Sequence, residues 1–238
     1  MELTVVVPSR DEEQNVAELV RRLNDALRGW DAEILYVDDS TDGTMAAVAA
    51  EATFSTLPLR MHHRFEPGGQ ASAVAEGLMF ARGEVVAVLD ADLSHPPEMI
   101  PVLVDTLRAR SLDLVVGSRD TGTAETPHAD RLSQDAVTAL SRLLLPGTAV
   151  TGCSDPASGL FAVHRSSVHL DRLTARGRRL LLEILATHDL VVDEVPWTPE
   201  APVAPARERV QPLRQLVGLA LRGGPRGTAI EPSALALA

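Results

Sequence analysis

Five apolar runs of strand length, at about residues 3–7, 33–37, 57–61, 84–89 and 112–117, alternate along this chain with segments of helix length. Parallel neighbours need a crossover of a dozen or more residues between them, and a helix usually fills it. The alternation therefore predicts an α/β fold, a doubly wound and mostly parallel sheet flanked by helices. Between the first two runs Val16, Leu19, Val20, Leu23 and Leu27 recur at helical spacing. Ser9-Arg10-Asp11-Glu12 has the form of a capping box opening that helix. Residues 71–81 are again helix-like and closed by Gly83, and Pro97 fits the first turn of a helix running to about Arg110.

Beyond Arg119 the pattern is less regular. Residues 120–129 carry Gly122, Pro127 and several threonines with few apolar side chains, and read as a mobile loop. A helix over about 131–145, a strand around 159–163, a helix around 178–187 and a strand over 190–195 follow. Four prolines in 196–205 mark a linker or lid rather than an element. The organisation expected is one domain over 1–196, a proline-rich loop over 197–209, a short amphipathic helix over 210–222 and a disordered tail over 223–238.

All 22 basic residues are arginine. Arginine can clamp phosphate, whereas Schiff-base and lysine-nucleophile chemistry are excluded. A net charge of −11 argues against broad nucleic-acid binding. The single cysteine, Cys153, excludes an internal disulfide and fits a reducing cytoplasm. No apolar run approaches the roughly 18 residues of a membrane span. Met1-Glu2 leads directly into strand-like residues, so no signal peptide is expected.

The fourth run is followed by Asp90-Ala91-Asp92. In extended backbone, residues i and i+2 face the same side, where two carboxylates repel unless a cation lies between them. Mg²⁺ or Mn²⁺ suits such an oxygen-only site and neutralises charge on a leaving diphosphate. Taken alone, D-x-D reads more simply as a solvated acidic strand end. Its company changes that. The first run ends in Pro8-Ser9-Arg10-Asp11-Glu12, the second in Val37-Asp38-Asp39-Ser40-Thr41-Asp42-Gly43-Thr44, the fifth in Gly117-Ser118-Arg119. A later segment reads Ser154-Asp155-Pro156-Ala157-Ser158-Gly159-Leu160-Phe161. In open α/β sheets ligands bind at the carboxyl ends of strands where strand order switches.

This ordered set resembles the family-2 glycosyltransferases of the GT-A (Rossmann-like) fold. It is most similar to the branch that transfers mannose or glucose to a polyprenyl (dolichol) phosphate, over about residues 3–196. The resemblance implies that Pro8, Arg10 and Glu12 line the nucleotide, with Val37 and Asp39 on the base and Gly69, Gln70 and Ala71 beside it. Asp39 has a physical reason, since a carboxylate accepts from a base imide or amino group; ordinary turn chemistry is the alternative. Asp90, with Ala91, would contact ribose or metal, and Asp92 would hold the metal. Ser94 stands where the family often has glutamine. His95 reads as shaping a turn, and His62-His63 as a strand end rather than ligands.

Asp155 resembles the carboxylate that faces the sugar from the acceptor side, acting as general base for a hydroxyl acceptor and as an orienting group for a phosphate. A cap before Pro156 is the plainer reading. Arg119 would clamp an acceptor phosphate, and Arg131 with Ser133 a second anion, although Arg131 also fits a solvated helix start. Where the branch carries a basic acceptor loop, this chain has a proline-rich, partly acidic segment in which Arg207 and Arg209 are the candidate substitutes.

The function so implied is an inverting, metal-dependent hexosyl transfer from a GDP-mannose or UDP-glucose type donor to a polyprenyl phosphate, in the cytoplasm or at the inner face of the membrane. A soluble transferase acting on a small hydroxylated metabolite and a catalytically degenerate nucleotide-binding subunit are the alternatives. Peripheral membrane contact and a homo-oligomer stay open.

Overall fold

The computed structural model describes residues 1–119, 145 and 147–198. Seven strands form one sheet: β1 (Leu3–Ser9), β2 (Ala32–Asp38), β3 (Leu59–His63), β4 (Val85–Val88), β5 (Leu114–Arg119), β6 (Phe161–His164) and β7 (Val192–Trp197). Their order is β3-β2-β1-β4-β6-β5-β7. All pairings are parallel except those of β6, which runs antiparallel between β4 and β5. The chain winds outward from β1 to β3 and then crosses back to place β4 on the other side of β1. The switch point therefore lies at the carboxyl ends of β1 and β4.

Among the described residues five α-helices cover the sheet: α1 (Val16–Ala26), α2 (Thr44–Glu51), α3 (Gln70–Phe80), α4 (Met99–Ala109) and α5 (Leu180–Thr187). Period-2 alternation divides the strands between two cores. Val5 and Val7 of β1 pack with Leu19 and Leu23 of α1 and with Leu103 and Leu107 of α4. Val6 faces the other way, with Val74 and Leu78 of α3 and Leu181 and Leu185 of α5. A Cβ on Gly77 would run into the Val6 side chain, so the missing side chain lets α3 lie close on β1.

Three local expectations are corrected. The capping box does not form: Ser9 ends β1 and donates its hydroxyl to buried Asp38 (2.7 Å), Asp11 takes φ 57°, and a 3₁₀ turn (Glu13–Asn15) precedes α1. The third strand begins two residues late, at Leu59, since Pro58 has no N–H to give a ladder, although its carbonyl already accepts from Ile34 N (2.9 Å). Pro196 lies inside β7 instead of opening a linker. Paired beside Ser118 on an edge strand, it has no second neighbour that needs its N–H. Trp197 follows it into the core and donates its indole N–H to the Gly117 carbonyl (3.1 Å). The sequence features expected over 120–129 and 210–238, and nearly all of those over 131–145 and 197–209, lie outside the described residues.

Candidate active site

A cavity of about 500 Å³ opens at the switch point. The end of β1 contributes Pro8, Ser9, Arg10 and Glu12, and the end of β2 contributes Asp39. Gly68, Gly69, Gln70 and Ala73 come from the start of α3, Asp90, Ala91 and Asp92 from the turn after β4, and Gly177 and Arg178 from ahead of α5. Val37 and Ala71 are not among these residues. Both are fully buried in the core between sheet and helices, and Ala73, two residues on in α3, lines the cavity instead of Ala71.

Asp90 and Asp92 reach the cavity by a turn, not by extended backbone, since β4 stops at Val88 and Leu93 takes φ 61°. Their surroundings differ sharply. Asp90 is buried and contacts Arg179 (Nη1 to Oδ2, 3.0 Å), and it also accepts from the Gln70 amide. Burial alone would raise its pKa; Arg179, with His95 behind it, brings it down to about 2. Gly159 makes this crowding feasible, because a Cβ there would lie 2.5 Å from Arg179 Nη1 and 2.6 Å from Asp90 Oδ2. His95 Nδ1 accepts the Asp90 backbone N–H (3.1 Å), so that nitrogen carries no proton. Burial lowers the His95 pKa as well, so its 3.7 Å approach to Asp90 Oδ2 is no ion pair at neutral pH.

Asp92 is exposed, and its Oδ1 accepts from Ser94 N (3.0 Å). Glu12 across the cavity has a raised pKa, first through burial and then through the charges of Asp92 and Asp90, against the hydrogen bond donated by Asn15. Among the described residues no third His, Cys, Asp or Glu joins a cluster able to hold a metal. His62 contacts Glu76 (2.9 Å) and His63 contacts buried Asp38 (2.9 Å), which gives both rings structural partners.

Asp39 is gripped by a residue the sequence did not single out. Arg64 donates Nε to Oδ1 (2.7 Å) and Nη2 to Oδ2 (2.5 Å), and both side chains are nearly buried. Arg64 also reaches Ser72, Glu76 and the Gly69 carbonyl, tying the β2 end to the start of α3. Burial would lower its pKa, but Asp39 and Glu76 outweigh that and raise it. No local motif signals Arg64, because its partners come from β2 and α3. Arg179 is hidden for a related reason: the sequence pattern places it in a helix around 178–187, whereas α5 begins at Leu180 and Arg179 is extended (φ −122°, ψ 101°).

Beside the cavity Arg119, at the end of β5, forms a bidentate ion pair with Asp155, Nε to Oδ2 at 2.7 Å and Nη2 to Oδ1 at 3.0 Å. The Asp155 side chain is 1% exposed and that of Arg119 26%. Arg119 is close enough to bear on His95. The two residues expected to serve the acceptor independently are thus one unit. Arg131, Ser133, Arg207 and Arg209 lie outside the described residues. Among the described residues no helix is long and apolar enough to cross a membrane.

The model of the family described as "Glycosyl transferase family 2" matches residues 4–169. The dolichol-phosphate mannosyltransferase of Pyrococcus furiosus is 36% identical over 203 residues, a match covering 83% of this chain and 56% of that protein. The dolichol-phosphate mannosyltransferase of Mycosarcoma maydis is 32% identical over 213 residues, covering 82% and 69%. The chain thus spans little more than half the length of the archaeal relative. One similar solved structure is glucosyl-3-phosphoglycerate synthase from Mycobacterium tuberculosis in complex with Mn²⁺, UDP-glucose and phosphoglyceric acid. It aligns with a TM-score of 0.62 at 20% identity, covering 93% of this chain and 79% of that one, a likeness of fold.

Proposed function

The chain belongs to glycosyl transferase family 2, and on that premise we propose that it moves a hexose from a nucleotide-diphosphate sugar to a polyprenyl phosphate with inversion at the anomeric carbon. One observation carries the reading: four carboxylates, Glu12, Asp39, Asp90 and Asp92, surround a single cavity at the switch point, with the Arg119–Asp155 pair on a neighbouring strand end. Arg64 and Arg179 balance Asp39 and Asp90, which leaves Asp92, with Glu12 across the cavity, to meet a cation, and a nucleoside diphosphate carrying a divalent ion brings one.

Asp92 fits a hard-ion ligand, because it is exposed at the cavity and its Oδ2 has no protein hydrogen bond among the described residues. Asp90 lies beside it, already neutralised by Arg179, and would contribute from the second position. When bound there, Mg²⁺ or Mn²⁺ neutralises the charge that develops on the departing diphosphate. Arg10 and Arg178 line the same cavity and add positive charge for the diphosphate. Asp39, immobilised by Arg64, offers its outer lone pairs to the base.

Transfer forms a bond between an acceptor phosphate oxygen and the anomeric carbon as the bond from that carbon to the diphosphate oxygen breaks. The electron pair leaves with the nucleoside diphosphate. A phosphate acceptor is already an anion, so no proton has to move. Asp155 fixes the plane of the Arg119 guanidinium, which orients that anion. The acceptor's polyprenyl tail places the reaction at a membrane surface, its inner face by this reading.

The test incubates the full chain with GDP-mannose or UDP-glucose labelled in the sugar, Mn²⁺ and a polyprenyl phosphate, and follows label into an organic extract. Extraction that depends on the lipid phosphate is expected. Label that stays in the aqueous phase with every lipid phosphate offered contradicts the reading. A second reading, transfer to a small hydroxylated acceptor, is favoured by the phosphoglyceric acid in the structural neighbour's complex. It requires Asp155 to release Arg119 and take a proton.

A further inference from the structure

We infer that Glu194 is a positioning residue that sets the geometry of the Arg119–Asp155 pair. The inference rests on the reading above that this pair serves the acceptor. Glu194 lies in β7 beside Val116 of β5, and its carboxylate collects donors from two separate segments. Ser118 Oγ donates to it at 2.5 Å, and Ser118 immediately precedes Arg119. Ser154 donates its backbone N (2.9 Å) and its hydroxyl (3.0 Å), Asp155 N follows at 3.4 Å, and the Cys153 thiol lies at 3.2 Å. The residues ahead of both members of the ion pair are therefore held by one side chain.

The arrangement is costly unless its geometry matters. A second carboxylate so near Asp155 adds repulsion, and no arginine pairs with Glu194 among the described residues. Its charge is met by hydroxyl, thiol and amide donors aimed at it, a fixed set of dipoles that leaves Arg119 to Asp155. Cys153 stays a donor, because burial and then Glu194 push its thiol pKa well up. Without the charge, Ser118 and Ser154 lose their common acceptor, and the strand end and loop are left joined through the ion pair itself and the Ser158 hydroxyl on the Gly117 carbonyl (2.7 Å).

The test compares the full wild-type chain with Glu194→Gln, which keeps the shape but sets an amide group against donors. Three quantities are read: amide hydrogen exchange over 153–158, nucleoside-diphosphate affinity in Mn²⁺, and kcat with acceptor KM for polyprenyl phosphate. Exchange should quicken about tenfold as the loop loosens, with nucleotide affinity unchanged within about twofold. Transfer should fall about tenfold or more, mainly in kcat, as misplaced orienting groups do. Faster exchange with unchanged kcat would make Glu194 a structural clamp only and overturn the inference. Unchanged exchange would overturn it as well. If Glu194→Gln does not fold, Ser118→Ala removes one donor without touching the charge and should shift the exchange rate and kcat the same way by a smaller factor. Should the wild type show no transfer to polyprenyl phosphate, the acceptor reading falls by itself, and exchange over 153–158 still decides whether Glu194 holds the loop.

Discussion

Asp90 and Asp155 are both buried carboxylates held by an arginine distant in sequence, and that pairing governs what each can be expected to do. An aspartate in an unfolded chain titrates near about 3.9, whereas folded Asp90 titrates at about 2. Because the folded value is depressed, its stabilisation is fully present above the unfolded value and is lost as pH falls through the folded one. Arg179→Gln should therefore lower stability at neutral pH, and its deficit against wild type should shrink between about pH 4 and pH 2. Urea unfolding at several pH values checks this; a deficit constant over that window contradicts it. For the second pair, Arg119→Ala strands a buried charge and should cost about 3 kcal/mol. Arg119→Ala combined with Asp155→Asn should cost less than the sum of the single changes, as the coupling of a contacting pair requires. Additive losses in a double-mutant cycle would show that the pair is not one unit. The sequence displayed Asp90, Asp92, Asp155 and Arg119 at strand ends, where motifs are local. It hid Arg64, Arg179 and Glu194, whose partners lie 25, 89 and 40 residues away in sequence.

At the scale of elements, glycines mark where two surfaces meet closely. Gly159 precedes β6 by two residues and faces Arg179, Asp90 and His95 together. Gly159→Ala should displace that cluster, lower the Tm by several degrees and weaken nucleotide binding, at an overpacking cost of about 1–3 kcal/mol. A variant with wild-type Tm and affinity would show that the cluster can shift without consequence. The strands were legible because buried parallel strands are continuous apolar runs bounded by turn residues. Edges were less so. Pro196 reads as a terminator, and only the partner strand reveals that β7 is an edge on which proline costs nothing. The capping box failed because Ser9 had a stronger partner in buried Asp38 than any helix end could offer.

Across the whole molecule, one sheet with a change of winding direction gathers side chains from five segments around one cavity, and everything proposed about transfer depends on what that cavity binds. The family is shown by sequence, the switch point by topology, and the ligand is proposed from the charge they bring together. Asp92 gives the cleanest lever, since it is exposed and its replacement should alter stability by no more than about 0.5 kcal/mol. The deciding measurement is calorimetric titration of GDP and UDP into wild type and Asp92→Ala, each in Mn²⁺ and in EDTA. Wild type should bind one of the nucleotides at least about tenfold more tightly in Mn²⁺, and Asp92→Ala should lose that gain while keeping its fold. Equal affinity in Mn²⁺ and EDTA, or a gain that survives Asp92→Ala, would contradict the account.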